Sequence, residues 1–283
     1  MVRSLEKRPL DLVTISDHDQ KLEQKEKRLP HLFPGDIERP FKFKNTKKVV
    51  FLSARVHPGE VPASHVMNGM LKFLCSDDPR AAQLRSMFVF KLVPIINVDG
   101  VSRGFYRSNT NGINLNRRYC DPNLTDSPEI YGLREVIVDL HKDEKRIVCY
   151  IDLHAHATKR GCFFYGNYMD YARSLESFLL AKLIELNDPN FDFEGSNFTE
   201  KNMRMKDKKG ESREGSGRVG VFKAINIPRC YTLECNYNTG KVVNKVPAAT
   251  NLDDPGSDMD TPPKYTHKTW EDLGKAMMIA ILD

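Results

Sequence analysis

No two cysteines in this 283-residue chain are spaced as CxxC. The six (Cys75, Cys120, Cys149, Cys162, Cys230 and Cys235) are scattered, several of them in apolar runs. That excludes a thiolate-bound zinc motif and argues against a disulfide framework; reduced thiols suit a cytosolic protein. Also missing is an apolar run long enough to cross a bilayer, and Met1 to Pro9 is charged, without an apolar signal region. No internal repeat is present. Neither sign of charge dominates: Lys and Arg number 43 against 38 Asp and Glu, for a net +5 and a pI near 8.8. A balance this mild does not point to nucleic acid. The expectation is a soluble, cytoplasmic protein.

What is present is a substantial core, with 40% hydrophobic residues and 29% charged. Strand-like and helix-like segments alternate. Pro9 to Ser16 alternates as a strand, and Asp17 to Arg39 reads as a polar connection with a short helix. The apolar run Val49-Val50-Phe51-Leu52 reads as a buried strand. Helices are expected over Val61 to Leu74, with Pro62 in the first turn, and over Asp77 to Ser86. Met87 to Ile96 is a buried strand closed by the turn Asn97-Val-Asp-Gly100. A turn-rich segment from Arg103 to Tyr119 precedes a helix over Pro128 to Lys142 and a strand through Tyr150 to His154. In a helix over Tyr168 to Leu186, residues Leu175, Phe178, Leu179, Leu183 and Leu186 share a face. Residues 195–217 suggest a mobile surface loop, Cys230 to Asn236 a strand, Asp254 to Pro263 a surface loop, and Thr269 to Leu282 a closing helix. This order implies one α/β domain over residues 1–283, with a mixed, mostly parallel central sheet flanked by helices on both faces.

The chain is organised around Phe51-Leu-Ser-Ala-Arg-Val-His-Pro-Gly-Glu60. A strand ends there and presents His57 and Glu60 about a Pro-Gly turn. HxxE is short and by itself more often serves turns and caps than metals. A second apolar strand, however, ends in Asp152-Leu-His154. Two His and one Glu leave a fourth position open for water, the pattern of a catalytic zinc site. Glu234, inside the otherwise apolar Tyr231-Thr-Leu-Glu-Cys, is either structurally paired or poised as an acid or base. Arg103, Arg107, Arg117 and Arg118 cluster around Asn111 to Arg117. Lys42 to Lys48 and Lys201 to Arg218 are basic, either as solvated surface or as a steering field for an acidic partner.

Taken in order, His57-x-x-Glu60, Asn97-Val-Asp-Gly100, Tyr106-Arg107, Leu115-Asn-Arg117, Asp152-Leu-His154 and Thr232-Leu-Glu234 resemble the motif series of the zinc carboxypeptidases. Arg55-Val-His-Pro-Gly-Glu60, His154-Ala-His156 with Lys159 to Cys162, and Glu214-Gly-Ser-Gly-Arg218 with Leu233 to Asn238 resemble the cytosolic carboxypeptidase branch. Within it the likeness is nearest to the branch-point tubulin deglutamylase type. The resemblance runs from about Pro9 to the end.

It implies that His57, Glu60 and His154 hold one Zn²⁺ and that Glu234 is the general base. Arg107 would stabilise an oxyanion, and Asn116 with Arg117 would grip the substrate's terminal carboxylate. Arg218 would pair with a glutamate side chain. The implied partners are glutamylated tubulin or other acidic tails, met at microtubules. His156 is expected beside the metal as a hydrogen-bonding neighbour; His65 and His141 are not expected as ligands. Two departures stand out. Residues 199–221 contain no tyrosine to cap a substrate, and the family's preceding β-sandwich domain is expected to be absent. Two other readings compete: a catalytically impaired binder of glutamylated tails, and a zinc-dependent N-acyl amino acid deacylase. The retained His57, Glu60, His154, Arg107 and Glu234 weigh against the first, and Asn116-Arg117 against the second.

Overall fold

The run Val49 to Leu52 is apolar at every position because both faces of its strand are covered. Val50, Leu52 and Ala54 enter one hydrophobic cluster, Val49 and Phe51 the other. The computed structural model describes residues 1–35, 38–142, 145–207, 209–241 and 262–283. The strands are β1 (Val13–Ile15), β2 (Lys21–Lys25), β3 (Phe41–Phe43), β4 (Lys48–Ala54), β5 (Phe88–Val93), β6 (Ile147–His156), β7 (Cys162–Tyr165) and β8 (Cys230–Asn236). The helices are α1 (Pro62–Leu74), α2 (Pro79–Met87), α3 (Val98–Arg103), α4 (Pro128–Lys142), α5 (Tyr171–Asn187), α6 (Glu200–Arg204), α7 (Gly217–Ile225) and α8 (His267–Leu282).

Six strands form one sheet in the order β1-β5-β4-β6-β8-β7. The inner four are parallel, and β1 and β7 close the edges antiparallel. Helices α1, α2, α5 and α8 share one cluster with the sheet, and α4 and α7 share the other. The expected fold class is therefore what forms. On the first face α1 and α8 cross so closely that a Cβ on Gly69 would lie 2.0 Å from Glu271 O, and one on Gly274 2.1 Å from Val66 O. Both crossings require glycine.

Several local expectations are corrected. Among the described residues the polar connection over Asp17 to Arg39 contains no helix; it carries β2, which pairs with β3 in a separate hairpin. Its Lys-Leu-Glu-Gln-Lys sequence shows no apolar alternation; just beyond it Glu26 receives Arg39 at 2.7 Å and Lys91 at 2.5 Å. The turn at Asn97 opens α3, with the Asn97 side chain accepting from Gly100 N at 2.9 Å. The leucine face assigned to α5 is not its buried face. Leu175, Leu179 and Leu186 are exposed, while Ser177, Leu180, Ala181 and Ile184 pack inward. Residues 195–217 are not a featureless loop. They include α6, capped by Thr199, and a 3-10 turn at Arg213–Gly215. Strand β7 and helix α7 were not foreseen. The loop expected from Asp254 lies outside the described residues up to position 261.

One buried acid has no evident role in packing. Glu129, at the start of α4, is fully buried, and neither carboxylate oxygen meets a donor from another residue. Burial pushes it up to about 7. A folded-state value above the unfolded one favours the protonated acid, so the contribution is present at low pH and lost as pH rises from about 4.5 to 7. Glu129→Gln should therefore stabilise the protein at pH 8 by as much as about 3 kcal/mol, with the gain shrinking towards pH 5. Thermal denaturation of both forms across that range checks this; parallel profiles would mean Glu129 stays charged.

Candidate metal centre

Beyond Ala54 the chain must turn sharply, and Arg55 does so in left-handed backbone with φ 59°. The strain is held by its own side chain: Nε and Nη2 donate to Pro58 O at 3.0 and 2.5 Å, and Nη1 to Ser64 Oγ at 2.7 Å. The Pro-Gly turn is pinned from above, where Gly59 N donates to Tyr106 O at 2.8 Å. A Cβ on Gly59 would sit 2.7 Å from the Tyr106 ring, so only glycine allows this approach. His57 and Glu60 thus leave the carboxyl end of β4 in fixed positions. In β6 the two-residue period puts Asp152 and His154 on the same face. Parallel pairing then sets His154 opposite Glu234 of β8. The site occupies the carboxyl ends of β4, β6 and β8, where open α/β sheets place their ligands.

Glu60 is the hub. Its Oε1 lies 2.7 Å from His57 Nδ1 and its Oε2 2.8 Å from His154 Nδ1; Ala155 N donates to Oε2 at 3.1 Å. Each imidazole is held again through its other nitrogen, with His57 Nε2 3.1 Å from Asn114 Oδ1 and His154 Nε2 2.8 Å from Asp152 Oδ2. Those contacts assign the proton to Nε2 and leave Nδ1 as the donor atom facing inward. Asp152 is fixed in turn by Ser53 Oγ at 2.7 Å. Burial would raise Glu60, but the two histidines hold it well below the carboxylate range. Burial lowers His57, whereas His154, despite equal burial, is held high by Asp152 and Glu60.

Ligand atoms of His57, Glu60 and His154 all lie within 4.8 Å of one another, and no other such group occurs among the described residues. Two imidazole nitrogens and a carboxylate, with both histidines oriented from behind, form a donor set that fits Zn²⁺ with positions open for water and substrate.

The trio opens into a pocket of about 240 Å³. Glu234 lies on its wall beside His154, and burial pushes it up to about 8 against the pull of His154 and Arg213. Arg107 is about half exposed at the mouth, 3.6 Å from Glu60. Asn116 is buried and its Oδ1 accepts from Gly217 N at 2.8 Å. Arg117 Nη1 donates to Asn116 O at 2.8 Å, and its Nη2 pairs with Asp207 at 3.1 Å. Arg218 is 2% exposed. It donates to Gly166 O, to Asn167 Oδ1 at 3.2 Å and to Asn202 Oδ1 at 3.0 Å. All of the site residues expected from sequence thus share one pocket.

His156 also reaches the pocket, but its Nδ1 accepts from Lys159 N at 2.9 Å, so it shapes the turn after β6 and does not hold a ligand. His65 stacks on His267 at 4.2 Å, apart from the trio. Asn114, Asp207 and Arg213 were not anticipated. The role of Asp152 was open to inference, since it lies two residues before His154 on one strand.

Residues 1–234 match the sequence profile of the zinc carboxypeptidases. The chain is 39% identical, over an alignment spanning 373 positions, to human "Cytosolic carboxypeptidase-like protein 5", covering 99% of this chain and 42% of that protein. To "Cytosolic carboxypeptidase 6" of Caenorhabditis elegans it is 32% identical over 292 residues, covering 100% and 54%. The chain therefore spans about half or less of these relatives. Among solved structures, a metallo-carboxypeptidase from Burkholderia cenocepacia shares the fold, with a TM-score of 0.70 at 22% identity over 99% of this chain and 62% of that one.

If Asp152 orients His154 for a metal, Asp152→Asn should weaken zinc binding by about 10–100-fold. Competition with a chelating dye measures this, and circular dichroism checks that the variant is folded. Unchanged affinity would sever Asp152 from the centre.

Proposed function

The chain belongs to the zinc carboxypeptidase family, and from that premise we propose that it removes C-terminal or branch-point glutamates from glutamylated protein tails, tubulin's above all. The observation that carries the glutamate assignment is Arg218. Its guanidinium is buried in the pocket wall, yet every partner it has is a neutral oxygen. Among the described residues no carboxylate lies within salt-bridge distance of it. Burial lowers it to about 10, which leaves it a cation at neutral pH. A desolvated charge without a counter-ion is costly, and an incoming carboxylate relieves that cost. A terminal glutamate supplies one from its side chain.

The remaining roles follow from position. His57, Glu60 and His154 would hold Zn²⁺, which at such a site acidifies water and polarises a carbonyl. Asn116 and Arg117 would take the terminal α-carboxylate, since the guanidinium fork is suited to two parallel hydrogen bonds. That anchoring restricts the enzyme to chain ends. Arg107, at the mouth above Glu60, would donate to the oxyanion that develops as the scissile carbonyl is attacked. Glu234 would accept the attacking water's proton at its carboxylate and hand it to the leaving amine. The surplus of guanidinium groups in the pocket favours an acidic chain end over a basic or apolar one. The relatives are named as cytosolic, and we assign this chain the same compartment, with microtubules as its site of action.

The test is mass spectrometry of peptides incubated with zinc-loaded protein. One peptide carries a linear glutamate tail, one a single γ-linked branch glutamate, and one ends in lysine. Stepwise loss of glutamate that stops on adding a chelator is expected, with the lysine peptide intact. Glu234→Gln should retain zinc while losing about 10²–10⁴-fold in turnover. Loss of lysine but not glutamate would overturn the specificity, and full activity of Glu234→Gln would overturn the mechanism.

A further inference from the structure

The chain's excess of positive charge is concentrated away from the metal centre. Between Lys21 and Lys48 nine Lys and Arg stand against four Asp and Glu, a surplus equal to the net +5 of the whole chain. The remaining residues are balanced, so the net field of the protein is centred on the β2–β3 hairpin and its flanks. Several of these cations are engaged within the fold: Lys47 pairs with Asp17, Lys25 with Glu38, Lys27 with Asp139 at 2.6 Å and Arg39 with Glu26 at 2.7 Å. Lys21, Lys42 and Lys44 have no carboxylate partner among the described residues. Lys21 and Lys25 lie instead over the ring of Phe41, at 4.8 and 5.3 Å from its centroid, and that ring is 38% exposed.

This segment is no loose flap. Two buried ammonium groups tie it to the sheet: Lys91 of β5 reaches Glu26 at 2.5 Å and Thr14 Oγ1 at 2.9 Å, and Lys47 reaches Asp17. Between the hairpin and α4 lies a cavity of about 260 Å³, as large as the pocket at the metal centre. Leu29, Phe43 and Val136 give it apolar lining, while Arg39, Lys42 and Asn45 give it donors. The Arg39 guanidinium is fixed by the Phe33 ring, 3.3 Å from its centroid. The cavity sits at the amino ends of the central strands. Asn45 comes just before β4; Arg146, also in the lining, comes just before β6, and its carbonyl accepts from Val49 N at 3.0 Å. His57 and Glu60 follow the opposite end of β4, so the seven residues of that strand set the two cavities roughly 20 Å apart.

We propose that this basic hairpin and its cavity form a second docking site, for a glutamate-rich stretch of the protein whose chain end is processed at the metal centre. Lys42 and Lys44 pair with carboxylates of that stretch. One glutamate side chain enters the cavity, its methylenes against Leu29 and Phe43 and its carboxylate towards Arg39 and Asn45. A polynucleotide fits less well, because its phosphates form a continuous row and Glu26 and Asp139 stand in the same lining. At about 3.3–3.6 Å per extended residue, a chain needs at least about seven residues to reach from one site to the other. Short peptides therefore engage the metal centre alone. Long acidic tails engage both, and the docked stretch raises the local concentration of the chain end. This rests on the reading of the chain as an enzyme for acidic tails and adds where such a tail is held.

The experiment gives zinc-loaded protein two glutamate-ended peptides, one of about four residues and one of about 25 with a glutamate-rich stretch upstream. Lys42→Glu combined with Lys44→Glu should raise KM for the long peptide about 5–20-fold relative to the short one at low salt. In the unmodified protein the preference for the long peptide should fade as salt is added. Lys268→Glu combined with Lys275→Glu makes the same charge change on α8 and should leave the ratio as it was. An unaltered ratio in the hairpin variant, or an equal change in the α8 variant, would overturn the proposal. Binding of a C-terminally amidated glutamate-rich peptide is followed in parallel by fluorescence anisotropy. If neither peptide is hydrolysed the function above fails, yet binding that the hairpin variant weakens still upholds the docking site, and binding that it leaves intact overturns it. Tighter binding of a single-stranded RNA through the same two lysines would overturn the assignment to an acidic protein.

Discussion

A single carboxylate shared between two imidazoles governs this structure. Glu60 touches His57 and His154 through separate oxygens, and all three groups are buried. Taking a charge and two imidazoles out of water is expensive, and it is sustainable only when each remaining lone pair and N–H is matched. Asn114 and Asp152 match the outer nitrogens, Ala155 N adds a donor to Glu60, and Ser53 fixes Asp152. Removing one member strands the others. The strained backbone of Arg55 and the tight contact of Gly59 with Tyr106 make sense as the means of holding this group in place.

The rest of the pocket has the opposite character. Arg107, Arg117, Arg213 and Arg218 surround it; Arg107 lies 3.6 Å from Glu60, and Asp207 pairs with Arg117 at 3.1 Å. Under the proposed function this guanidinium-rich lining would meet the carboxylates of an acidic chain end. His154 and Glu234 stand side by side across β6 and β8 at the wall of this cavity.

How much of this could be read in advance depended on the kind of residue. Strands β4, β5, β6 and β8 announced themselves because burial on both faces forces continuous apolar runs. The hairpin β2–β3 did not, since Lys-Leu-Glu-Gln-Lys has a single apolar residue and its side chains are largely exposed. In α5 the leucines at helical spacing pointed to the wrong face: Leu175, Leu179 and Leu186 are exposed, and Ser177 and Ala181 fill the close contacts instead. The Gly- and Ser-rich stretch before Arg218 looked like a loop for a related reason. Its small residues are there for close approach and capping, and they build α6 and the start of α7.

The sequence by itself determined the chemistry: which side chains could bind a metal, move a proton or grip a carboxylate, and the order in which strands would deliver them. Residue type and the ends of apolar runs are local properties, and they survive without knowledge of the fold. Only the tertiary structure decided the pairings. That Asn114 and Asp152 stand behind the histidines, that Asp207 lies on Arg117, and that Arg213 and Ser216 share a wall with Arg218 all depend on chain segments tens of residues apart meeting at one end of a sheet. No spacing along the chain encodes such meetings, because strand register and the packing of glycine-lined turns set them.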